Sequence, residues 1–297
     1  MRATLLVGAG VAASLALVGG SIAVAAGVQL APPADSAAAR LSQRSVAWTA
    51  ADRLDSRRLV PLEIDAELGA LEVYSVTRDA TLHPMPYGMR REIWSLLTRI
   101  MTPEETVRTI AAFKIGDDPE STRTAWVSEH GSGSGRWTVG VNLARSIDPT
   151  QVAATLIHEY AHIISLRDGQ VVPAGEQCTT VLLPEGCALP GGYLDAFHNA
   201  FWTDYGLDAT GPANANIAGA VHLLRMFPDA FVSEYAAMNV AEDFAESFAA
   251  YVHVGPTAPA DAVGGKLAFF DRYEEMVQIR ERIRAALDGT LGTLRIE

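Results

Sequence analysis

Lysine is nearly absent from this sequence of 297 residues, in which Lys114 and Lys266 are the only two. Arginine therefore supplies almost all of the positive charge, and the formal net charge is −12 at pH 7. The sequence has no basic stripe of the kind that neutralises phosphates, which argues against nucleic acid as a partner. Charged residues make up 20% and hydrophobic residues 49% of the chain, a balance that is typical of a globular protein and excludes wholesale disorder.

Cysteine is equally scarce. Cys178 and Cys187 are the only two, and Pro184 and Gly186 lie between them. In an oxidising compartment such a pair predicts one disulfide that closes a small loop. Two alternatives are weaker, because a thiolate zinc pair usually has the spacing C-x₂₋₄-C and a single catalytic cysteine would leave its neighbour without a role.

The N-terminus has the composition of a targeting segment. Arg2 precedes an uncharged run that continues to Ala34, and small residues cluster at positions 23–26. This pattern predicts a secretory signal peptide at residues 1–26, so that the folded part of the protein lies outside the cytosol. Because the apolar run is long, an uncleaved membrane anchor is the alternative, and membrane contact is expected only through this segment.

Residues 27–45 are rich in Ala and Pro and predict a linker, which leaves residues 46–297 as the folded domain. Strand patterns come first in this domain and helical patterns follow, which predicts an α+β fold with a small antiparallel or mixed sheet packed beside a helical lobe. The predicted strands are 107–115, 122–128 and 136–143, and the predicted helices outside the motif described next are 49–54, 90–101, 193–202, 217–226, 239–254 and 265–288.

The most informative motif is His158-Glu159-Tyr160-Ala161-His162, which lies inside an apolar run. Residues four apart in a helix lie on one face, so both imidazoles should converge on one point, as two ligands of a tetrahedral Zn²⁺ ion must. Glu159 lies beside them and has the chemistry of a general base. Asp148 as N-cap and Pro149 as first helical residue predict the start of this helix. The alternative is an amphipathic helix with two incidental histidines.

A catalytic zinc needs a third protein ligand, and two regions compete for that role. Asp168 has the spacing of the compact H-E-x-x-H-x-x-G-x-x-H/D pattern, but Ser165 stands where that pattern needs a glycine for the chain to turn back to the metal. Glu242 and Glu246 are four apart on one predicted helix, and no Lys or Arg follows them there to balance their charge. One carboxylate of this pair can ligate the metal while the other orients a ligating histidine.

The motif at 158–162, followed by Asn239-x-x-Glu242-x-Phe244-Ala245-Glu246-x-Phe248, resembles the gluzincin metallopeptidases. It is most similar to the branch typified by the anthrax lethal factor protease domain. The resemblance covers about residues 136–254 and leaves the N-terminal third without an explanation. The N-E-x-x-S-D pattern of the thermolysin branch is absent.

This resemblance implies a zincin-like fold around one catalytic Zn²⁺ ion. It implies that His158, His162 and Glu242 ligate the ion and that Glu246 steadies a histidine ligand from behind. It also implies that Tyr235, seven residues before the ligating glutamate, stabilises the oxyanion that develops during the reaction.

Together these features predict an exported zinc-dependent endopeptidase, in which Glu159 acts as general base on a zinc-activated water and the partner is a peptide or protein substrate. The resemblance also suggests that strand 137–143 offers a free edge, with Asn142, to an extended peptide. The alternative from another class is an exported zinc-bound domain that binds a peptide or cell-wall component without cleaving it. The presence of Glu159 argues against that alternative, because a domain that only binds needs no general base beside its metal.

Overall fold

The computed structural model of the protein describes residues 60–131, 133–146, 148–173, 178–206, 217–254, 261–288 and 291. The expected signal peptide or anchor at 1–26, the expected linker at 27–45 and the expected helix at 49–54 lie outside the described residues. Across the described ranges, no helix combines the length and the apolar character that crossing a membrane requires.

The described part of the chain mixes strands with helices, which confirms the predicted α+β class. Its strands are β1 (Leu62–Asp65), β2 (Gly69–Val76), β3 (Leu82–His83), β4 (Ile110–Gly116), β5 (Ala125–Glu129), β6 (Trp137–Asn142), β7 (Val171–Val172), β8 (Leu182–Leu183) and β9 (Gly186–Ala188). Its α-helices are α1 (Met89–Met101), α2 (Pro103–Thr109), α3 (Pro149–Leu166), α4 (Tyr193–Phe201), α5 (Ile217–Met226), α6 (Val240–His253), α7 (Ala262–Phe270) and α8 (Glu274–Ala286).

The main sheet has the strand order β1-β2-β4-β6-β5, and β3 pairs with β2. Only β4 and β6 are parallel neighbours, and the other pairs are antiparallel, so the sheet is mixed, as predicted. β5 and β6 form an antiparallel hairpin, with Trp126 opposite Gly140 and Val127 opposite Val139. A small second sheet, with the order β7-β9-β8, lies in the excursion between α3 and α4.

The expectation that strand 137–143 offers a free edge is wrong. β6 lies between β4 and β5, and every residue of β6 is buried, as a central strand covered on both faces must be. Asn142 at its end is bonded within the fold, where its Nδ2 donates to the carbonyls of Asp118 at 2.8 Å and Arg123 at 3.0 Å. Its Oδ1 accepts from the backbone N–H of Asp118 at 3.0 Å, so this side chain closes a loop instead of contacting a substrate.

The predicted helices are largely confirmed, and three elements differ from the prediction by three residues or more. The strand expected at 122–128 begins only at Ala125. Residues 107–109 belong to α2, which begins at Pro103 with the Thr102 hydroxyl accepting from the backbone N–H of Glu105, so the following strand starts only at Ile110. The helix predicted at 265–288 is two helices, because Tyr273 has an extended backbone and ends the continuity of the helical pattern. Both segments are amphipathic, and the periodicity of the sequence therefore hides the break.

α3 and α6 pack against each other at the centre of the helical lobe, and α3 also contacts α1 and β5. A cluster of buried aromatic rings holds α6 against α4 and α7. Within it, the ring of Phe197 lies 5.5 Å from that of Phe244 and 5.2 Å from that of Phe269, and Phe244 lies 5.1 Å from Phe270, all edge to face. Such buried pairs combine a large apolar contact with favourable ring electrostatics, so they fix the position of α6.

Cys178 and Cys187 form the predicted disulfide, with their Cα atoms 5.6 Å apart. The bond joins the segment before β8 to β9 and lies within the small second sheet.

We expect Gly140→Ala to lower the free energy of unfolding by about 1–3 kcal/mol, the usual cost of overpacking a core. A Cβ at this position would lie 2.1 Å from two ring carbons of Trp126, and β6 is fixed on both sides. The matched control is Gly265→Ala in α7, where the nearest atom is 3.9 Å away. There an alanine should raise stability by up to about 1 kcal/mol. Urea unfolding measures both changes, and wild-type stability for Gly140→Ala would contradict this packing.

Candidate metal centre

α3 begins where the sequence predicts, with Asp148 Oδ1 accepting from the backbone N–H of Thr150 at 2.8 Å and Pro149 as the first helical residue. One turn apart on its buried face, the rings of His158 and His162 meet edge to face with centroids 4.7 Å apart. Their Nε2 atoms are 3.0 Å apart. The two imidazoles therefore converge on one point.

α6 brings a carboxylate to the same point. Asn239 Oδ1 accepts from the backbone N–H groups of Ala241 at 2.9 Å and Glu242 at 3.0 Å, so Asn239 caps the helix and Glu242 lies in its first turn. Glu242 is 2% exposed, and its Oε2 lies 3.1 Å from His158 Nε2 and 3.2 Å from His162 Nε2. The first turn of a helix also favours a carboxylate electrostatically.

These three side chains fit a zinc ion. Among the described residues they form the group of donors able to hold a metal, with ligand atoms within 4.8 Å of one another. A tetrahedral zinc with bonds of about 2.0–2.1 Å separates its ligand atoms by about 3.3 Å, close to the distances between these Nε2 and Oε2 atoms. Two imidazole nitrogens and one carboxylate oxygen are a donor set of catalytic zinc sites, which keep one position open.

Asp168, the rival third ligand, is exposed and does not belong to this group. Its backbone forms an isolated bridge with Val171, as the chain leaves α3 and enters the excursion. The structure thus brings Glu242, and not Asp168, to the two histidines.

Glu246 lies behind His158. Its Oε1 is 2.7 Å from His158 Nδ1, and its Oε2 accepts a hydrogen bond from the Ser233 hydroxyl at 2.7 Å. A carboxylate on Nδ1 leaves Nε2 of the same ring free to ligate a metal. Ser233 carries no local sequence signal, because its partner lies 13 residues further along the chain.

The carboxylates dominate the electrostatics of the pair of imidazoles. Burial alone would lower the pKa of His158, but hydrogen bonds with Glu242 and Glu246 outweigh burial and raise this pKa well above its usual value. Burial would raise the pKa of Glu242, but the charge of His162 and hydrogen bonds from both histidines lower it. A proton and a metal therefore compete for the same nitrogen atoms.

Glu159 is 6% exposed, and burial raises the pKa of its carboxyl group, with the two histidines opposing the shift. A raised pKa brings a carboxylate closer to the range in which it both accepts and returns a proton at neutral pH. Glu159 follows His158 directly on α3, so the helix keeps it next to this candidate ligand.

Tyr235 lies at the start of the short turn Ala236–Met238 that leads into α6. Its ring centroid is 5.9 Å from that of His158. Burial raises the pKa of its hydroxyl well above the usual value, and the charges of Glu242 and Glu159 and a hydrogen bond with Glu242 add to the shift. The hydroxyl therefore keeps its proton and remains a hydrogen-bond donor.

Residues 220–292, about a quarter of the chain, match a family model described as "Putative zinc-binding metallo-peptidase". This match supports a zinc metallopeptidase family. It does not reach the narrower lethal factor branch. The matched segment contains Tyr235, Glu242 and Glu246, and the histidine motif at 158–162 precedes it. Comparisons with curated proteins and with solved structures gave no match.

Replacing the proposed third ligand separates Glu242 from its rival. We expect Glu242→Ala to lose bound zinc, since only two imidazoles would then hold the ion, and Asp168→Ala to keep the wild-type zinc content. Elemental analysis by mass spectrometry after dialysis against a weak chelator measures the zinc content of each protein. If Asp168→Ala lost the metal and Glu242→Ala retained it, the assignment would be reversed.

Proposed function

We propose that this protein is an exported zinc-dependent endopeptidase. The observation that carries the proposal is the convergence of His158, His162 and Glu242 Oε2 within 3.0–3.2 Å of one another, with the buried carboxyl group of Glu159 next to them. The family match, which covers the α6 half of this arrangement, supports zinc peptidase chemistry.

His158, His162 and Glu242 would hold the zinc ion. When bound, the ion supplies Lewis acidity, which lowers the pKa of a coordinated water towards about 7 and polarises a carbonyl. The protein's own contribution to proton transfer is Glu159, whose carboxylate accepts the proton of the attacking water and returns it to the leaving amine.

Tyr235 supplies the second contribution. Its hydroxyl remains protonated and lies in the turn that faces His158. A neutral hydroxyl at this point can donate a hydrogen bond to the oxyanion that forms when the peptide carbonyl is attacked, an interaction worth about 3 kcal/mol in comparable sites. Tyr235 together with the Glu242–Glu246 pair also supports the narrower resemblance to the lethal factor branch.

We infer that an extended peptide pairs with the outer strand β5, the sheet edge on the side of α3. It is the last strand in the order β1-β2-β4-β6-β5, and α3 packs against it. Main-chain hydrogen bonds to such an edge hold a peptide without reading its side chains, which suits an endopeptidase.

Glu159 also distinguishes this proposal from a domain that only binds peptides or cell-wall components. Glu159 is 6% exposed, and burying a carboxyl group costs free energy, a cost from which a domain that only binds peptides gains nothing. Proton transfer during hydrolysis is a task that accounts for this burial.

We expect Glu159→Gln to lower the hydrolysis rate by about 10²–10⁴-fold, because the amide cannot accept the proton of water, while the zinc content stays at one ion per chain. Glu234→Gln is the control, since Glu234 is exposed and next to Tyr235 in sequence, and it should keep wild-type activity. Cleavage of a mixed peptide library, with and without chelator, measures the rates. Wild-type turnover by Glu159→Gln would refute the mechanism, and a zinc-loaded wild type that cleaves no peptide would favour the binding domain.

Export is proposed from the apolar N-terminal run and is compatible with the disulfide, which persists in oxidising compartments. Expression of the full chain in an exporting host should yield a protein that begins close after residue 26, because the small residues at 23–26 fit the cleavage site of a signal peptidase. Intact-mass measurement of the mature protein determines its N-terminus. A membrane-bound protein that retains Met1 would show an anchor instead.

A further inference from the structure

The hydroxyl of Ser233 has two partners, and their chemistry fixes its direction. The backbone N–H of Ala236 donates to Ser233 Oγ at 3.1 Å, and Oγ donates to Glu246 Oε2 at 2.7 Å. An N–H group can only donate, so the proton of the serine must point to the carboxylate.

Glu246 transmits this constraint to a proposed zinc ligand. One of its oxygens is held by Ser233, and the other lies 2.7 Å from His158 Nδ1. A carboxylate held at this distance favours a proton on Nδ1, so that Nε2, which faces His162 and Glu242, is the nitrogen left for a metal. Without the serine, the carboxylate could rotate about its terminal bond and release this constraint on the tautomer of His158.

The same hydroxyl also closes the turn that carries Tyr235. The contact from Ala236 to Ser233 brackets Glu234 and Tyr235, and the Tyr235 ring lies 5.9 Å from the ring of His158. The upstream end of the segment is held separately. Phe231 is buried there, and the Nζ of Lys266 lies 4.1 Å from its ring centroid.

We propose that Ser233 is a positioning residue that joins the tyrosine-bearing turn to the metal ligand His158 through Glu246. It acts on two groups at once, because it sets the tautomer of His158 and the place of the Tyr235 hydroxyl. The catalytic half of this inference rests on the proposed peptidase function, whereas the metal-binding half does not.

The metal-binding half is tested with Zn²⁺ itself and a chelating dye as competitor. We expect Ser233→Ala to weaken zinc binding by about threefold to tenfold, less than the loss of a group in direct contact with a ligating histidine. Ser233→Thr keeps the hydroxyl and should stay within about twofold of the wild type. Ser247→Ala is the matched control, since this buried hydroxyl on α6 bonds to Asp243 and not to Glu246. Equal losses in Ser233→Ala and Ser233→Thr, or none in Ser233→Ala, would overturn the role of the hydroxyl.

A nitrogen-15 NMR spectrum of the zinc-loaded wild type needs no variant. It should show a protonated Nδ1 on His158, and a bare Nδ1 would overturn the proposed tautomer.

The catalytic half is tested by a double-mutant cycle with Tyr235→Phe, measured at saturating zinc. Ser233→Ala should lower kcat by about tenfold with little change in KM when Tyr235 is present. It should lower kcat by less than about twofold in the Tyr235→Phe protein, because the group that it positions has been removed. An equal fold-decrease of kcat in both backgrounds would show that Ser233 does not act through Tyr235 and has only a general structural role. A zinc-loaded wild type that hydrolyses no peptide would refute the proposed peptidase function. The zinc affinities from the dye competition would still test whether Ser233 acts on His158.

Discussion

The contact between α3 and α6 places three buried donor atoms, from His158, His162 and Glu242, within 3.2 Å of one another. Polar groups taken out of water cost free energy unless each finds a partner, roughly 2–7 kcal/mol for a neutral group. The donors of this site contact one another, the carboxylate of Glu246 and the hydroxyl of Tyr235. A divalent cation bound among them would compensate the burial of all three, so the same packing that buries these groups would also bind the metal.

The neighbouring residue, Asp243, fixes the rotation of α6 through partners on another face of the helix. Its Oδ2 accepts from Lys266 Nζ at 2.5 Å and from Trp202 Nε1 at 2.8 Å. The two charged residues, Asp243 and Lys266, are both buried. A buried ion pair is tolerated when its remaining hydrogen bonds are satisfied, and it discriminates against other rotations of the helix. Consecutive carboxylates therefore have different partners, Glu242 at the candidate metal centre and Asp243 at one of the two lysines in the sequence.

Local features were predictable and long-range ones were less so. Asp148 and Pro149 mark the start of α3, and the apolar spacing of α1 predicts that helix within one residue, because capping and periodicity act over a few positions. The position of β6 within the sheet was not predictable from its own residues. It depends on the pairing of β6 with β4. In the sequence, the hairpin partner β5 and a loop separate these two strands. The role of Ser233 could not be predicted for the same reason, since it depends on a hydrogen bond to Glu246, which lies on another element.

The spacing of the motif is enough to predict that two imidazoles meet beside a glutamate, because residues four apart lie on one face of any helix. The sequence also predicts that Glu242 and Glu246 lie on one face of a second helix. Tertiary packing was needed to show that Glu242 completes the group while Asp168 stays exposed. Glu242 lies 80 residues after His162, and no local pattern restricts which carboxylate approaches the histidines. The packing of the buried faces of α3 and α6 makes that choice, through contacts that no local pattern encodes.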